Sequence, residues 1–289
     1  MSRIRFRDPQ LEQQLLLNGL APAAGAIFDD LTAYLRQPIE AVAHGYWEYH
    51  LGEDLLAQKR VAEATQERDV LAYYERTPHY LYELSYWEAS RDKQAWFAVL
   101  ARACRRYGLR RVMDFGGGVG GLALYLQSRG IACEHLDVAG QTFDYAAWRF
   151  QRRGLTVPMH NVLNGHPTGP FDAVMAWDVL EHLFDLDEAL ERIRTALRPG
   201  GWFISKSTFA PESGGHHEDI HLAKHACYSD VRTLNALLSR HGFRFTGQLK
   251  PSRASRLLRR IGWPSAVVGI AVVPRLKLGG NFLIHERVT

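Results

Sequence analysis

Cysteine is scarce: the 289 residues hold three, Cys104, Cys133 and Cys227. The number is odd and no pair stands in C-x-x-C spacing. That argues against a disulfide framework and a thiolate metal site, and fits a reducing, cytoplasmic setting. Long apolar runs are also missing. None reaches the ~20 residues that a membrane-spanning helix needs. The basic start Met1-Ser2-Arg3-Ile4-Arg5-Phe6-Arg7-Asp8 runs into Pro9-Gln10, where a secretory leader needs an apolar centre. There is no internal repeat and no low-complexity linker. Neither sign of charge dominates: 35 basic against 31 acidic side chains leave a net +4, too mild to call for a nucleic-acid partner. A hydrophobic content of 46% and this length suffice for one α/β core with a substantial addition.

What the chain does have is glycine in one place. Val112-Met113-Asp114-Phe115-Gly116-Gly117-Gly118-Val119-Gly120-Gly121-Leu122 reads as an apolar strand ending in an acid, a glycine turn and the start of a helix. Such a turn lets a nucleotide-like ligand lie on bare backbone at a helix N-terminus. Gly116, Gly118 and Gly121 satisfy the dinucleotide pattern G-x-G-x-x-G, while Asp114, Gly116, Gly118 and Gly120 satisfy D-x-G-x-G-x-G. Asp114 separates the two. A carboxylate is a poor neighbour for a pyrophosphate, but a good one for the ammonium of an aminoacyl tail. A second acid, Asp137, ends the next apolar run 21 residues after Gly116, where a carboxylate can accept both ribose hydroxyls of either ligand.

Two further segments follow in order. Phe171-Asp172-Ala173-Val174 leads to Asp178 and Leu180-Glu181-His182-Leu183, and Leu197-Arg198-Pro199-Gly200-Gly201 leads to Trp202-Phe203-Ile204. With the glycine loop and Asp137 they make four motifs in register over roughly 95 residues. Together they resemble the class I, Rossmann-like S-adenosylmethionine (SAM) methyltransferases of small-molecule type, from about Trp96 to Phe243. That resemblance implies SAM as cofactor. Gly116, Gly118 and Gly120 would admit its aminoacyl end beside Asp114, and Asp137 would hold the ribose. Asn161 and Val162 would meet the adenine, Asn161 standing where many relatives carry Asp, and Asp178 would be a further cofactor-binding residue at the same strand edge. It also implies methylation of O or N on a small acceptor, a natural-product intermediate or a lipid-like compound. The Asn-Pro-Pro-Tyr signature of enzymes that methylate nucleobases and amides is absent.

The expected fold class is α/β: a doubly wound, mostly parallel sheet with an antiparallel C-terminal edge strand and an N-terminal helical cap. Residues 1–95 form the cap or lid, and 96–250 the SAM-binding core. Residues 251–280 form an insertion over the acceptor site, and 281–289 the last edge strand. Strands are expected at 112–115, 131–136, 155–160, 171–177, 202–206, 243–249 and 281–287. Gly130 should cap the helix after the glycine loop, and Ser229 should cap one near 231–240. Tyr73, Tyr74, Tyr80, Tyr82, Tyr86 and Trp87 form either an aromatic seam between cap and core or a lid over the cofactor.

Methyl transfer from a sulfonium needs alignment, exclusion of water and a base for the acceptor proton. Candidates are the Glu181-His182 pair, in which the acid would orient the imidazole, and His217 and His221. His217-Glu218-x-x-His221 spells H-E-x-x-H, with His225 one turn on. On a helix the three histidines would share a face fit for a transition metal, although a metal is not expected in a methyltransferase frame. Between Arg253 and Lys277, basic residues flank the apolar stretch Ile261 to Val273. That segment suits either a pocket cap or dimer contact, or contact with a membrane surface, an acyl chain or a phosphorylated substrate. Three other readings stand beside the main one: a metal-dependent SAM enzyme, a non-catalytic SAM-binding subunit, and an NAD-dependent oxidoreductase.

Overall fold

The computed structural model describes residues 24–42, 44, 61, 63–209, 222–251, 270–273 and 282–288. Four helices precede the sheet: α1 (Ala24–Leu35), α2 (Glu67–Arg76), α3 (His79–Ala89) and α4 (Arg91–Tyr107). Helix α4 starts at Ser90, whose hydroxyl accepts from Lys93 N–H, and stops at Gly108 in the left-handed conformation. Then come β1 (Arg111–Phe115), α5 (Gly121–Gln127), β2 (Ala132–Asp137), α6 (Gln141–Arg152), β3 (Met159–Asn161) and β4 (Phe171–Trp177). The chain continues through α7 (Leu186–Ala196), β5 (Leu197–Lys206), α8 (Val231–Arg240), β6 (Phe243–Pro251), β7 (Ile270–Val273) and β8 (Phe282–Arg287).

The strands form one sheet in the order β3-β2-β1-β4-β5-β8-β6-β7. β1 to β5 run parallel, and β8, β6 and β7 pair antiparallel. The order reverses between β1 and β4, so a crevice opens beyond their C-terminal ends, the usual ligand position in such sheets. Apolar residues fill both faces. Trp96, Leu100, Leu122, Leu126 and Phe150 cover one, and Leu190, Ile193, Leu234 and Leu238 cover the other. The short β1, Val112 to Phe115, is buried throughout, as a central parallel strand must be.

Several boundaries differ from the sequence reading, each for a local reason. β3 is confined to 159–161 because Pro158 lacks the N–H a longer ladder needs, although its carbonyl still accepts from His135 N–H at 2.8 Å. β5 begins five residues early, at Leu197. Its register against β4 slips between Phe171 and Ala173, around Pro199 and the left-handed Gly200. Helix α8 is capped by Asp230, not Ser229. The Asp230 carboxylate accepts from Thr233 N–H at 3.1 Å, whereas the Ser229 hydroxyl donates to Ala226 C=O. Helix α5 ends at Gln127, and Gly130 serves the turn beyond it rather than the cap itself. Within 251–280 the structure adds β7 to the antiparallel edge. Residues 252–269 and 274–281, and with them most of the basic and apolar segment, lie outside the described residues.

The N-terminal helices are fastened to the core by apolar and ionic contacts. Leu31 packs with Leu81, Val119 and Tyr145. Among the described residues, no helix is long and apolar enough to cross a membrane.

Candidate functional site

A cavity of about 860 Å³ lies at the crevice between β1 and β4, walled by the glycine loop below and by α2 and α3 above. Pockets for one small ligand run to roughly 300–1,000 Å³, and this one lies toward the upper end of that range. The glycine loop forms its edge with bare backbone. Gly116 and Gly118 both have positive φ. A Cβ on Gly116 would stand 2.5 Å from the Val179 side chain, and one on Gly118 2.8 Å from Leu84 of α3. Gly118 N–H donates to the Asp137 carboxylate, whose second oxygen accepts from Val138 N–H at 2.6 Å. The acid at the end of β2 therefore sets the loop and lines the cavity at once.

Charge in the cavity is one-sided. Nine carboxylate side chains line it against three lysine or arginine side chains, among the described residues. Burial raises the pKa of Asp114 to about 7 and that of Asp137 to about 6. Asp114 Oδ2 is buried without a hydrogen-bond partner. Such carboxylates favour a cationic guest and disfavour a doubly charged pyrophosphate. On the α4 side, the Lys93 ammonium stands 3.2 Å from the ring centre of Trp87 and 3.5 Å from that of Trp177.

The other end of the cavity is built from the turn after β4. Asp178 has φ +51°, a left-handed conformation that Asp tolerates better than most residues, and its N–H donates to Lys206 C=O at 2.7 Å. The tight turn drives Glu181 inward to 1% exposure, where one oxygen accepts from Thr208 N–H at 2.8 Å. Burial, with the Asp178 charge next, raises the Glu181 pKa to about 8. His182 lines the cavity beside it and meets Tyr74 edge-on at 5.9 Å. Tyr73 meets Tyr74 and Tyr80 edge to face and Tyr74 and Tyr80 tilt against each other, so the tyrosine cluster is a seam and a pocket wall at once.

Asp114, Gly116, Gly118, Asp137, Val162, Asp178, Glu181 and His182 thus meet at one cavity. Gly120 does not line it. That residue is the left-handed N-cap of α5, and a Cβ there would strike Phe150 at 2.7 Å. Asn161 is also off the lining. Its Oδ1 accepts from Leu163 N–H at 3.0 Å and Ala139 N–H at 3.3 Å, so it ties two loops together. His217 and His221 lie outside the described residues. His225 sits in a 3-10 turn rather than on an α-helix, 7% exposed, with Nε2 bonded to Leu183 C=O at 2.8 Å. No group of three potential metal ligands forms among the described residues. Sequence reasoning missed Lys93 and Thr208, the strand-end residues Trp177 and Lys206, and the pair His166 and Arg192 at the cavity edge. His166 accepts from Arg192 at 2.5 Å and stacks on Phe115.

Residues 74–248 match the methyltransferase-domain family. Among curated proteins, the chain is 27% identical over 157 residues to a ubiquinone biosynthesis O-methyltransferase of Chromobacterium violaceum, covering 53% of this chain and 64% of that protein. It is 29% identical over 125 residues to a hybrid PKS-NRPS synthetase of Macrophomina phaseolina, covering 39% of this chain and 3% of the synthetase. The chain thus spans less than two thirds of either relative. Among solved structures, a mitomycin 7-O-methyltransferase superposes with a TM-score of 0.52 at 17% identity, covering 86% of this chain and 68% of that one. The Burkholderia thailandensis 1,6-didemethyltoxoflavin-N1-methyltransferase superposes with a TM-score of 0.51 at 18% identity, covering 78% of this chain and 91% of that one. These two likenesses establish the shared α/β fold.

Proposed function

The chain belongs to the methyltransferase-domain family, a class I SAM-dependent fold, and we propose that it methylates a hydroxyl of a small, largely apolar acceptor. The observation that carries this reading is the acid-lined cavity on a bare glycine edge, with Asp137 fixing the loop through Gly118 N–H. SAM supplies an electrophilic methyl on a sulfonium and brings an ammonium and two ribose hydroxyls. Asp114 suits the ammonium and Asp137 the ribose, while Val162 and Leu163 offer an apolar wall to the base. The same carboxylates oppose the pyrophosphate of a nicotinamide cofactor.

At the acceptor end, an alcohol or phenol must lose a proton as its oxygen gains the methyl. A base works best when its pKa lies near the operating pH, and Glu181, raised to about 8 by burial, meets that condition from inside the cavity. Its Oε2 is free to take the proton, while Thr208 N–H holds the other oxygen. The sequence reading had Glu181 orienting His182; here Glu181 is the base and His182 a wall of the acceptor space. Tyr74, Tyr80 and Phe184 give that space its apolar and aromatic sides. The name of the curated O-methylating relative supports oxygen as the acceptor atom.

Calorimetric titration of the full chain with SAM, S-adenosylhomocysteine and NAD tests the cofactor. SAM and its product should bind, NAD should not, and Asp137→Asn should weaken SAM by at least about tenfold, one charge-assisted contact's worth. Binding of NAD alone would overturn the reading. For the base, Glu181→Gln should lower kcat by about 10²–10⁴ while leaving the SAM dissociation constant within a few-fold. An unchanged kcat across pH 6–9 would remove Glu181 from the chemistry.

A further inference from the structure

We infer that Lys93 is the cofactor's carboxylate receptor, pairing with the α-carboxylate of the aminoacyl tail while Asp114 takes the ammonium beside it. The inference rests on the proposed SAM-binding reading and names a residue that no motif marks.

Lys93 projects from the first turn of α4 into the cavity and meets two indole rings, Trp87 of α3 and Trp177 at the end of β4. Cation–π contact stabilises the charge but satisfies none of its three N–H donors. Among the described residues no carboxylate or carbonyl accepts from Nζ, although Asp178, Asp114 and Glu88 all act on it electrostatically. An ammonium held by ring faces, with donors unspent on a cavity wall, lacks an anion. The other cations of the cavity are placed differently. Arg192 is spent on Glu188 and His166. Lys206 stands farther off, 5.3 Å from the Trp177 ring, and its charge repels that of Lys93. An incoming carboxylate relieves that repulsion.

Placement of opposite charges gives the site its selectivity. Lys93 and Asp114 face the same space from α4 and β1, one cation and one carboxylate with an unpartnered oxygen. A zwitterionic α-amino acid end matches both. A ligand carrying the ammonium alone leaves Lys93 unsatisfied. Burial also draws the Lys93 pKa down to about 7, against the opposing pull of Asp178, Asp114 and Glu88 and with help from Lys206. A bound carboxylate restores the charged form, so cofactor binding above pH 7 should take up a proton.

The test is calorimetry on the full chain with SAM, S-adenosylhomocysteine and decarboxylated SAM, which keeps the sulfonium and amine but lacks the carboxylate. Wild type should bind SAM about tenfold or more tightly than the decarboxylated form. Lys93→Met should lose that preference, weakening SAM and S-adenosylhomocysteine and leaving decarboxylated SAM unchanged. Lys93→Arg, which keeps the charge, should keep most of the preference and covers the case in which Lys93→Met fails to fold. Equal losses for all three ligands in Lys93→Met would assign Lys93 to packing and overturn the inference. So would a wild type indifferent to the carboxylate, or a preference abolished by Lys206→Met instead. Failure of wild type to bind any of the three would instead sink the SAM-binding reading itself.

Discussion

Arg149→Met should cost the protein about 3–5 kcal/mol, the penalty for leaving partners of a buried ion pair uncompensated. Arg149, on α6, is 2% exposed at its side chain and joins four parts of the chain. Its Nη1 and Nη2 donate to the two Glu88 oxygens of α3 at 2.6 and 2.8 Å. Nη1 also donates to Val119 C=O of the glycine loop at 2.7 Å, and Nε reaches Asp30 of α1 at 3.4 Å. Arg152 and Arg153 share Asp30, so that carboxylate keeps ion-pair partners, while Glu88 pairs with Arg149 and feels Lys93 only at longer range. Removing Arg149 therefore strands the Glu88 carboxylate against Gly121, where a Cβ would lie 2.5 Å from it. For a chain of this size the loss corresponds to a drop of about 10 °C in the unfolding midpoint. The double variant Arg149→Met, Glu88→Gln should recover much of it, because the stranded charge is gone. A loss under about 1 kcal/mol in the single variant would show that the pair balances its own desolvation. The same bonds bear on the cap. α1 and α3 are bolted to α6 and to the loop, so the cap is a fixed wall of the cavity along this seam.

How much of this was legible beforehand depended on whether residues act through local pattern or through long-range packing. The glycine loop, Asp137 and the turn after β4 were readable because each lies within a few residues of a strand end, and the parallel sheet gathers those ends at one edge. Glu181 was legible as a site residue, but its burial and its bond to Thr208 N–H were not. Nothing in Leu180-Glu181-His182 says that a left-handed Asp178 turns the acid inward to Thr208 N–H rather than toward His182. The bonds of Asn161, which stands off the cavity lining, were hidden for the same reason: its Oδ1 serves two backbone amides that only the packed loops bring near. Lys93 and Arg149 sit mid-pattern on amphipathic helices, where a cation reads as a solvated face. One signal was available. The chain has only six lysines, and two of them, Lys93 and Lys206, line the cavity. The extra strand β7 was hidden because Ile270–Val273 ends an apolar run that reads equally as a pocket cap.

Asp114→Asn should stabilise the ligand-free protein at pH 8 by up to about 4 kcal/mol relative to wild type, and hardly at all at pH 4. The sign follows from the raised pKa. Burial lifts Asp114 from the usual 3.8 to about 7, with Lys93 pulling it down and Asp137 and Glu88 pushing it up. A carboxyl whose folded pKa exceeds its unfolded one contributes stability that is whole below about pH 4 and is lost as pH rises through 7. Water in the cavity screens part of the effect, so the figure is a ceiling. The whole protein's curve mixes this loss with opposite contributions. His135 and His285, buried and drawn down to about 3, gain stability for the fold as pH rises through 3 to 6.5. Lys93, drawn down to about 7, does so above 7. The difference between variant and wild type isolates Asp114, and thermal melts at pH 4, 6 and 8 measure it. A bound ammonium favours ionised Asp114 and so binding at higher pH, while the carboxylate's call on charged Lys93 favours binding at lower pH, so the midpoint rise on adding SAM should fall from pH 5 to pH 8 in Asp114→Asn and fall less in wild type. The same pH dependence of that rise in wild type and variant would separate Asp114 from the cofactor's ammonium. A variant no more stable than wild type at pH 8 would mean that Lys93 already neutralises the carboxylate in the empty cavity.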